Sequence, residues 1–179
     1  MRFNLLITTY RYREEDAVKE MESILNEIGN RDYFFEIQEI SGIILGYTNL
    51  KPDEIIRKFR SLLSNEPWQF RFVLRVIPIE RAFQTDIETI TREATLLANE
   101  KIDQYDTYRI TVEKRHTSLQ SNHIISLIAD KLSFKVSLKK PKWIVLIQIV
   151  GNITGIAVLR DNDIFNSFME KRNAGLEIE

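Results

Sequence analysis

The length, composition and charge of this chain define its broad class. Its 179 residues are 44% apolar and 28% charged, with a formal net charge of −1, as is typical of a soluble globular protein with room for one large or two small domains. The lack of cysteine excludes disulfides, thiolate metal sites and thiol catalysis, and two histidines are too few for a histidine-rich metal cage. The longest apolar run, Trp143 to Val150, is less than half the ~20 residues that a membrane crossing needs. No signal peptide precedes the first strand-like run, so we expect a cytoplasmic protein. The short apolar runs, the lack of cysteine and the scarcity of histidine predict no membrane span and no metal site.

The first half of the chain alternates strand-like and helix-like segments. Apolar runs predict strands over residues 3–9, 33–40, 43–47 and 70–79. Apolar residues at helical spacing predict one helix that ends at Gly29 and a second helix opened by Pro52. The order strand, helix, strand, strand, helix, strand is the ferredoxin-like arrangement, in which two helices cover one face of a four-stranded antiparallel sheet. We assign residues 1–80 to this N-terminal domain.

A second mixed unit follows, so the predicted fold class is α/β (α+β). Thr85 or Asp86 can cap an amphipathic helix, and we assign residues 81–104 to a connecting helix that packs between the two halves. Residues 105–160 then form the second domain, and residues 161–179 form a charged tail, either a short helix or partly disordered. Within the second domain we predict a strand, a helix and three further strands, at residues 108–114, 119–132, 134–138, 143–150 and 154–159. Gly151-Asn152 predicts a tight hairpin between the last two strands.

Positive charge is concentrated in one segment of this second half. Between Gln104 and Lys142 there are eight basic and three acidic residues, so the rest of the chain sums to −6. A basic segment on an acidic body is the electrostatic pattern expected where a polyanion binds.

Several short stretches of the chain form a pattern that matches a known family. They are residues 109–115, the apolar positions of the helix at 124, 125, 128 and 129, residues 136–138, Pro141 directly ahead of residues 143–146, and residues 155–158. The second half therefore resembles a THUMP domain, an RNA-binding module attached to several tRNA-modifying enzymes. Residues 75–79 resemble the end of the ferredoxin-like domain that precedes THUMP domains.

The resemblance covers nearly the whole chain and implies a specific function. It is closest to the stand-alone archaeal and eukaryotic THUMP proteins, which act with an RNA cytidine acetyltransferase to make N4-acetylcytidine in the D-arm of serine and leucine tRNAs. It therefore implies a non-catalytic tRNA-binding adaptor without a cofactor, whose partners are tRNA, of the serine or leucine type, and the acetyltransferase. The family usually carries an acid after the proline, whereas this chain has Lys142.

The basic segment and the resemblance together predict nine RNA-binding residues in two loops. In THUMP domains these loops lie at the same edge of the sheet, so we expect one positive rim that holds the RNA backbone. We expect His123 to be structural and Trp143 to belong to the core. The predicted binding residues are Lys114, Arg115, His116, Ser118 and Asn122 in the first loop, and Lys139, Lys140, Pro141 and Lys142 in the second.

No recognisable catalytic motif accompanies these residues. The glycines of residues 151–155 lie in a predicted hairpin and do not form a pyrophosphate-binding turn, and neither a phosphate loop nor a dinucleotide fingerprint is present. With about twenty residues after the last predicted strand, we expect no catalytic domain and no enzyme activity. Two alternatives stay open: an assembly subunit without RNA contact, and a free-standing enzyme that modifies tRNA with a cofactor alone.

Overall fold

The computed structural model of the chain describes residues 3–176 and contains two five-stranded sheets, each in its own unit. Residues 3–78 together with 162–176 form the first unit, and residues 79–161 form the second. Both units combine helices with a sheet, which confirms the predicted fold class. Among residues 3–176, no helix is long and apolar enough to cross a membrane.

The first unit has a ferredoxin-like core with an added strand and helix from the end of the chain. Numbered along the chain, its elements are β1 (Leu5–Thr8), α1 (Glu14–Glu27), β2 (Tyr33–Ile37), β3 (Ile43–Thr48), α2 (Pro52–Asn65), a 3-10 turn (Pro67–Gln69), β4 (Arg75–Pro78), β10 (Phe165–Asn166) and α5 (Ser167–Asn173). Its sheet has the order β10-β4-β1-β3-β2, and every neighbouring pair is antiparallel. This confirms the ferredoxin-like arrangement predicted for the first half.

The core of this unit forms where the apolar stripes of α1 and α2 meet one face of the sheet. Met21 of α1, Phe59 of α2 and Ile7 of β1 are fully buried there. Phe165 of β10 joins them, and its ring lies 5.0 Å from that of Phe70 between centroids. The predicted tail therefore contributes a strand and a helix that ends at Asn173. Residues 177–179 of that prediction lie outside the described part of the chain.

The last predicted strand of this unit is shorter than the apolar run indicates. The run covers residues 70–79, but β4 begins only at Arg75. The backbone N–H groups of Arg71, Phe72 and Val73 instead donate to the carboxylate of Glu20, each at 2.9 Å. A side chain far away in the sequence thus replaces a neighbouring strand as the hydrogen-bond acceptor.

The second unit is a mixed sheet with two helices. Its elements are β5 (Arg81–Gln84), α3 (Ile87–Lys101), β6 (Thr107–Arg115), α4 (Ser121–Ala129), β7 (Lys135–Val136), β8 (Trp143–Val150) and β9 (Ile153–Leu159). The strand order is β5-β9-β8-β6-β7; β6 runs parallel to both β7 and β8, and the other pairs are antiparallel. Ile90 of α3 and Ile124 and Ile128 of α4 pack with Val145 and Ile147 of β8 in the core of the unit.

The segment predicted as a connecting helix, residues 81–104, lies inside this second unit. It includes β5, which pairs with β9, and α3, whose apolar stripe is buried in the core of the unit. Arg81 of β5 forms ion pairs with Glu93 and Glu100 of α3, at 2.7 and 2.8 Å. Asp86 caps α3 by accepting a hydrogen bond from the backbone N–H of Thr89. Of the two predicted capping residues, Thr85 and Asp86, the second is therefore the cap.

Candidate nucleic-acid interface

The register of β6 places the two predicted RNA-binding loops at opposite ends of the strands of the second sheet, one where β6 begins and the other where it ends. Each set of strand ends forms one edge of the sheet. The backbone N–H of Lys142 donates to the carbonyl oxygen of Thr107 at 3.1 Å, where β6 begins. The N–H of Gly151 donates to the carbonyl of Arg115 at 2.9 Å, where β6 ends. Lys114 follows Thr107 by seven residues, which in an extended strand corresponds to about 23 Å. The prediction that both loops form one positive rim is therefore wrong.

The parallel pairing of β6 and β8 is the physical reason for this separation. The first loop leaves the carboxyl end of β6, and the second loop enters the amino end of β8. In a parallel pair the exit of one strand and the entry of the other lie at opposite edges of the sheet. We call residues 103–107 with 137–143 the lysine edge, and residues 114–122 the His116 edge.

The lysine edge carries a cluster of lysines on its surface. Residues 135–142 contain four lysines and no acid, whereas the residues ahead of β6 add Asp103 and Asp106. Lys139 and Lys140 are exposed. The guanidinium of Arg109 donates to the carbonyl of Leu138 at 3.2 Å and so holds the loop that carries these two lysines. An exposed ammonium pair on a braced loop is suited to phosphate contact.

Asp106 fastens this loop to the start of β6. One of its carboxylate oxygens accepts from Nζ of Lys142 and the other from Nε1 of Trp143, both at 2.8 Å. The hydrogen bond from Lys142, followed by that from Trp143, lowers the pKa of Asp106. The carboxylate therefore stays ionised at neutral pH, and the charge of Lys142 is offset by it.

Two aromatic residues at the lysine edge have different surroundings. Tyr105, next to Asp106, is 89% exposed. Trp143 is half-buried and packs against the apolar core, in line with its predicted structural role. The guanidinium carbon of Arg160 lies 4.9 Å from the Trp143 ring centroid and Nζ of Lys101 lies 5.7 Å from it. Of these two rings, Tyr105 is the one that presents an open face for stacking.

At the His116 edge, the two predicted cations form contacts within the protein. Nζ of Lys114 donates to the carbonyl of Leu119 at 2.7 Å. Arg115 donates to the side-chain oxygen of Gln148 at 3.1 Å and lies 3.7 Å from the carboxylate of Glu113. Both cations therefore hold the loop and the end of the strand in place.

The remaining predicted residues of this edge are exposed. His116 has a positive φ of 53°, and Ser118 and Asn122 are solvent-accessible at the entry to α4. The side chain of Gln120, the residue before α4, does not cap the backbone N–H groups in the first turn of this helix. His123, predicted to be structural, is also exposed.

Sequence reasoning missed the residues that organise the lysine edge. Tyr105, Asp106 and Arg160 lie outside the predicted loops, although Asp106 and Arg109 fall within the basic segment. The adjacent pair of Tyr105 and Asp106 just ahead of a strand was an available signal. The sequence contains no comparable signal for Arg160, because only the pairing of β9 with β8 brings this residue close to Trp143.

Comparison with known proteins finds a domain pattern in the second unit. The sequence pattern of the THUMP domain matches residues 84–159, so the chain contains a THUMP domain. A search of the curated proteins finds no significant match.

Several solved structures share the fold. PH1313 from Pyrococcus horikoshii superposes with a TM-score of 0.67 at 16% identity, over 89% of this chain and 55% of that one. TrmN from Thermus thermophilus has a TM-score of 0.61 at 13% identity, over 88% and 45%. A 4-thiouridine synthetase, solved with RNA and ATP, has a TM-score of 0.56 at 14% identity, over 89% and 42%. This chain thus spans about half the length of each of these proteins.

Proposed function

We propose that this THUMP-containing protein binds tRNA through the lysine edge and presents it to a separate RNA cytidine acetyltransferase, which forms N4-acetylcytidine. In this proposal the protein is a non-catalytic adaptor without a cofactor. It raises the local concentration of the target cytidine at the enzyme by holding another part of the same tRNA. The tRNAs are those of the serine and leucine type that the family resemblance implies.

The observation that carries the RNA-binding part is the arrangement of charge and ring at the lysine edge. Lys139 and Lys140 are exposed on a loop held by Arg109. Tyr105 lies just ahead of β6, and this loop is hydrogen-bonded to the start of that strand. Ammonium groups bind phosphates and position a nucleic acid without reading its bases. An exposed tyrosine supplies a stacking surface for an unpaired base.

The comparisons support RNA as the ligand class. A THUMP domain lies within residues 84–159. The structural similarity to a 4-thiouridine synthetase solved with RNA covers nearly the whole of this chain. The adaptor role and the acetyltransferase partner rest on the family resemblance in the sequence.

Binding is tested by titrating the protein into labelled serine, leucine and alanine tRNAs at several salt concentrations. We expect the logarithm of the affinity to fall linearly with the logarithm of the salt concentration, because phosphate contacts release counterions. Binding that is insensitive to salt, or undetectable with all three tRNAs, would contradict RNA as the ligand and favour an assembly subunit.

The adaptor role is tested by acetylation of serine tRNA with the purified acetyltransferase, with and without this protein. We expect N4-acetylcytidine to form efficiently only when both proteins are present, and none to form with this protein and acetyl-CoA alone. An acetyltransferase that works equally well alone would contradict the adaptor role. Modification by this protein alone would show that it is an enzyme.

A further inference from the structure

A pocket of about 790 Å³ opens on the first unit. Its walls come from the end of β1, from the segment between α2 and β4, and from α5. A volume of this size lies in the range of sites that hold a small molecule or one unit of a polymer. The lining residues that matter here are Tyr10, Trp68, Phe72, Phe168, Arg71 and Lys171.

Five of the ten residues that line the pocket are aromatic, and three of these five are exposed. Trp68 is 66% exposed, and the side chains of Tyr10 and Phe168 are also exposed. The floor is Phe70, which is buried and packs against Phe59 with 5.7 Å between ring centroids. Exposed rings that converge over an apolar floor mark a binding site rather than scattered surface residues.

The charge of the pocket is positive. Arg71 is exposed, and Nζ of Lys171 donates to the carbonyl of Phe70 at 2.8 Å, which fixes its ammonium beside the floor. Among the described residues that line the pocket, none is Asp or Glu. The nearby carboxylate of Glu20 accepts three backbone N–H groups of the pocket wall.

The pocket wall is held in place from behind. Glu20 binds the N–H groups of residues 71–73, and the guanidinium of Arg13 lies 4.6 Å from the centroid of the Phe72 ring. Burial raises the pKa of Glu20, while its hydrogen bonds to this wall and the charge of Lys171 oppose that shift. A wall anchored to α1 in this way is preorganised, so a ligand loses little entropy in ordering it.

We propose that this pocket binds one unpaired nucleotide of single-stranded RNA. The base stacks on Trp68, and the adjoining phosphate is bound by Arg71 with Lys171. Every base has a π-face that stacks on an aromatic side chain, and a guanidinium binds phosphate through paired donors. The exposed rings and the two cations, without an acid among the described lining residues, fit this ligand. The pocket is a binding site in addition to the lysine edge.

The experiment uses the full chain and a single-stranded oligoribonucleotide of about eight nucleotides that contains one 2-aminopurine. Stacking on Trp68 quenches the fluorescence of this base. We expect Trp68→Ala to remove the quenching and to weaken binding about tenfold, the scale of one base-aromatic stack. Arg71→Gln should lower the slope of log affinity against log salt by about 0.7.

Phe34→Ala is the matched control, because Phe34 is an exposed aromatic residue of the same unit that does not line the pocket. Circular dichroism checks that each variant is folded. Equal binding by wild type and Trp68→Ala, or an equal loss in Phe34→Ala, would overturn the proposal. So would a polyglutamate peptide that binds as tightly as the RNA and with the same dependence on Trp68.

The outcome is independent of the function proposed above. If reversing the charges of Lys139 and Lys140 leaves tRNA binding unchanged while Trp68→Ala abolishes quenching, the lysine edge is excluded and the pocket stands. If the lysine variants weaken tRNA binding and Trp68→Ala has no effect on the oligonucleotide, the pocket proposal fails and the lysine edge stands.

Discussion

Lys142 donates its backbone N–H to the carbonyl oxygen of Thr107, and this contact fixes the lysine loop at the start of β6. Lys114 lies seven residues further along the same strand. Since the two loops cannot share one phosphate, their contributions to RNA binding are separable by mutation.

Reversing the charges of Lys139 and Lys140 together to Glu is expected to weaken tRNA binding by about tenfold and to lower the salt slope by about two, one for each phosphate contact. Both side chains are exposed, so stability should not change. Electrophoretic shifts at several salt concentrations measure both quantities. The double variant Lys19→Glu, Arg57→Glu, which makes the same charge change at exposed positions of α1 and α2, is the control.

Lys114→Glu is expected to change tRNA affinity by less than about twofold. The Lys114 ammonium already donates to the carbonyl of Leu119, so we expect it to hold the loop and not to bind RNA. The same shift assay measures it. A larger loss for Lys114→Glu than for the lysine pair would move the RNA site to the His116 edge.

Tyr105→Ala is expected to weaken binding of tRNA by about tenfold through the loss of one stacking surface. Tyr105→Phe should bind like the wild type, because the ring is kept. The melting temperature should be the same for all three proteins, since Tyr105 is almost fully exposed. Equal affinities for the alanine variant and the wild type would exclude Tyr105 from the interface.

Glu93→Gln is expected to lower the free energy of unfolding by about 1 kcal/mol at neutral pH, because its ion pair with Arg81 ties β5 to α3. The hydrogen bond from Arg81 lowers the pKa of Glu93 in the folded state. A depressed carboxyl pKa contributes stability that is present above the unfolded value of about 4.3 and is lost as pH falls through the folded value. Urea unfolding from pH 7 down to pH 3 should therefore show the difference between wild type and variant shrinking below about pH 4. Glu39→Gln, in an exposed loop, should show no such difference.

Glu20→Gln is expected to destabilise the protein by about 2 kcal/mol. In the wild type the two carboxylate oxygens of Glu20 accept three backbone N–H groups, whereas a glutamine has only one acceptor oxygen. The amide NH₂ would then face a backbone donor. Urea unfolding measures the change, and Glu22→Gln on the same helix is the control. A variant as stable as the wild type would show that the wall of the pocket does not depend on this carboxylate.

Most of the secondary structure could be predicted from periodicity and turn residues alone. Four of the five strands of the second unit were predicted within a few residues, and Gly151, with φ of 60°, forms the expected hairpin. The short strand β5 was missed because Arg81-Ala-Phe-Gln84 has no β-branched residue and only a weak apolar pattern. Its pairing partner, β9, is distant in the sequence, since Arg81 pairs with Ile156 and Gln84 with Ile153.

The candidate site could be predicted only in part. The composition of residues 135–142 determined that one loop would be basic, and the spacing of apolar residues determined which segments would be helices and strands. Which charges meet was decided by strand direction: the parallel pairing of β6 and β8 separates two loops that the sequence gives no reason to separate. The pocket around Trp68 likewise depends on the return of residues 165–173 to the first unit, since contacts between distant segments leave no periodic signal in the chain.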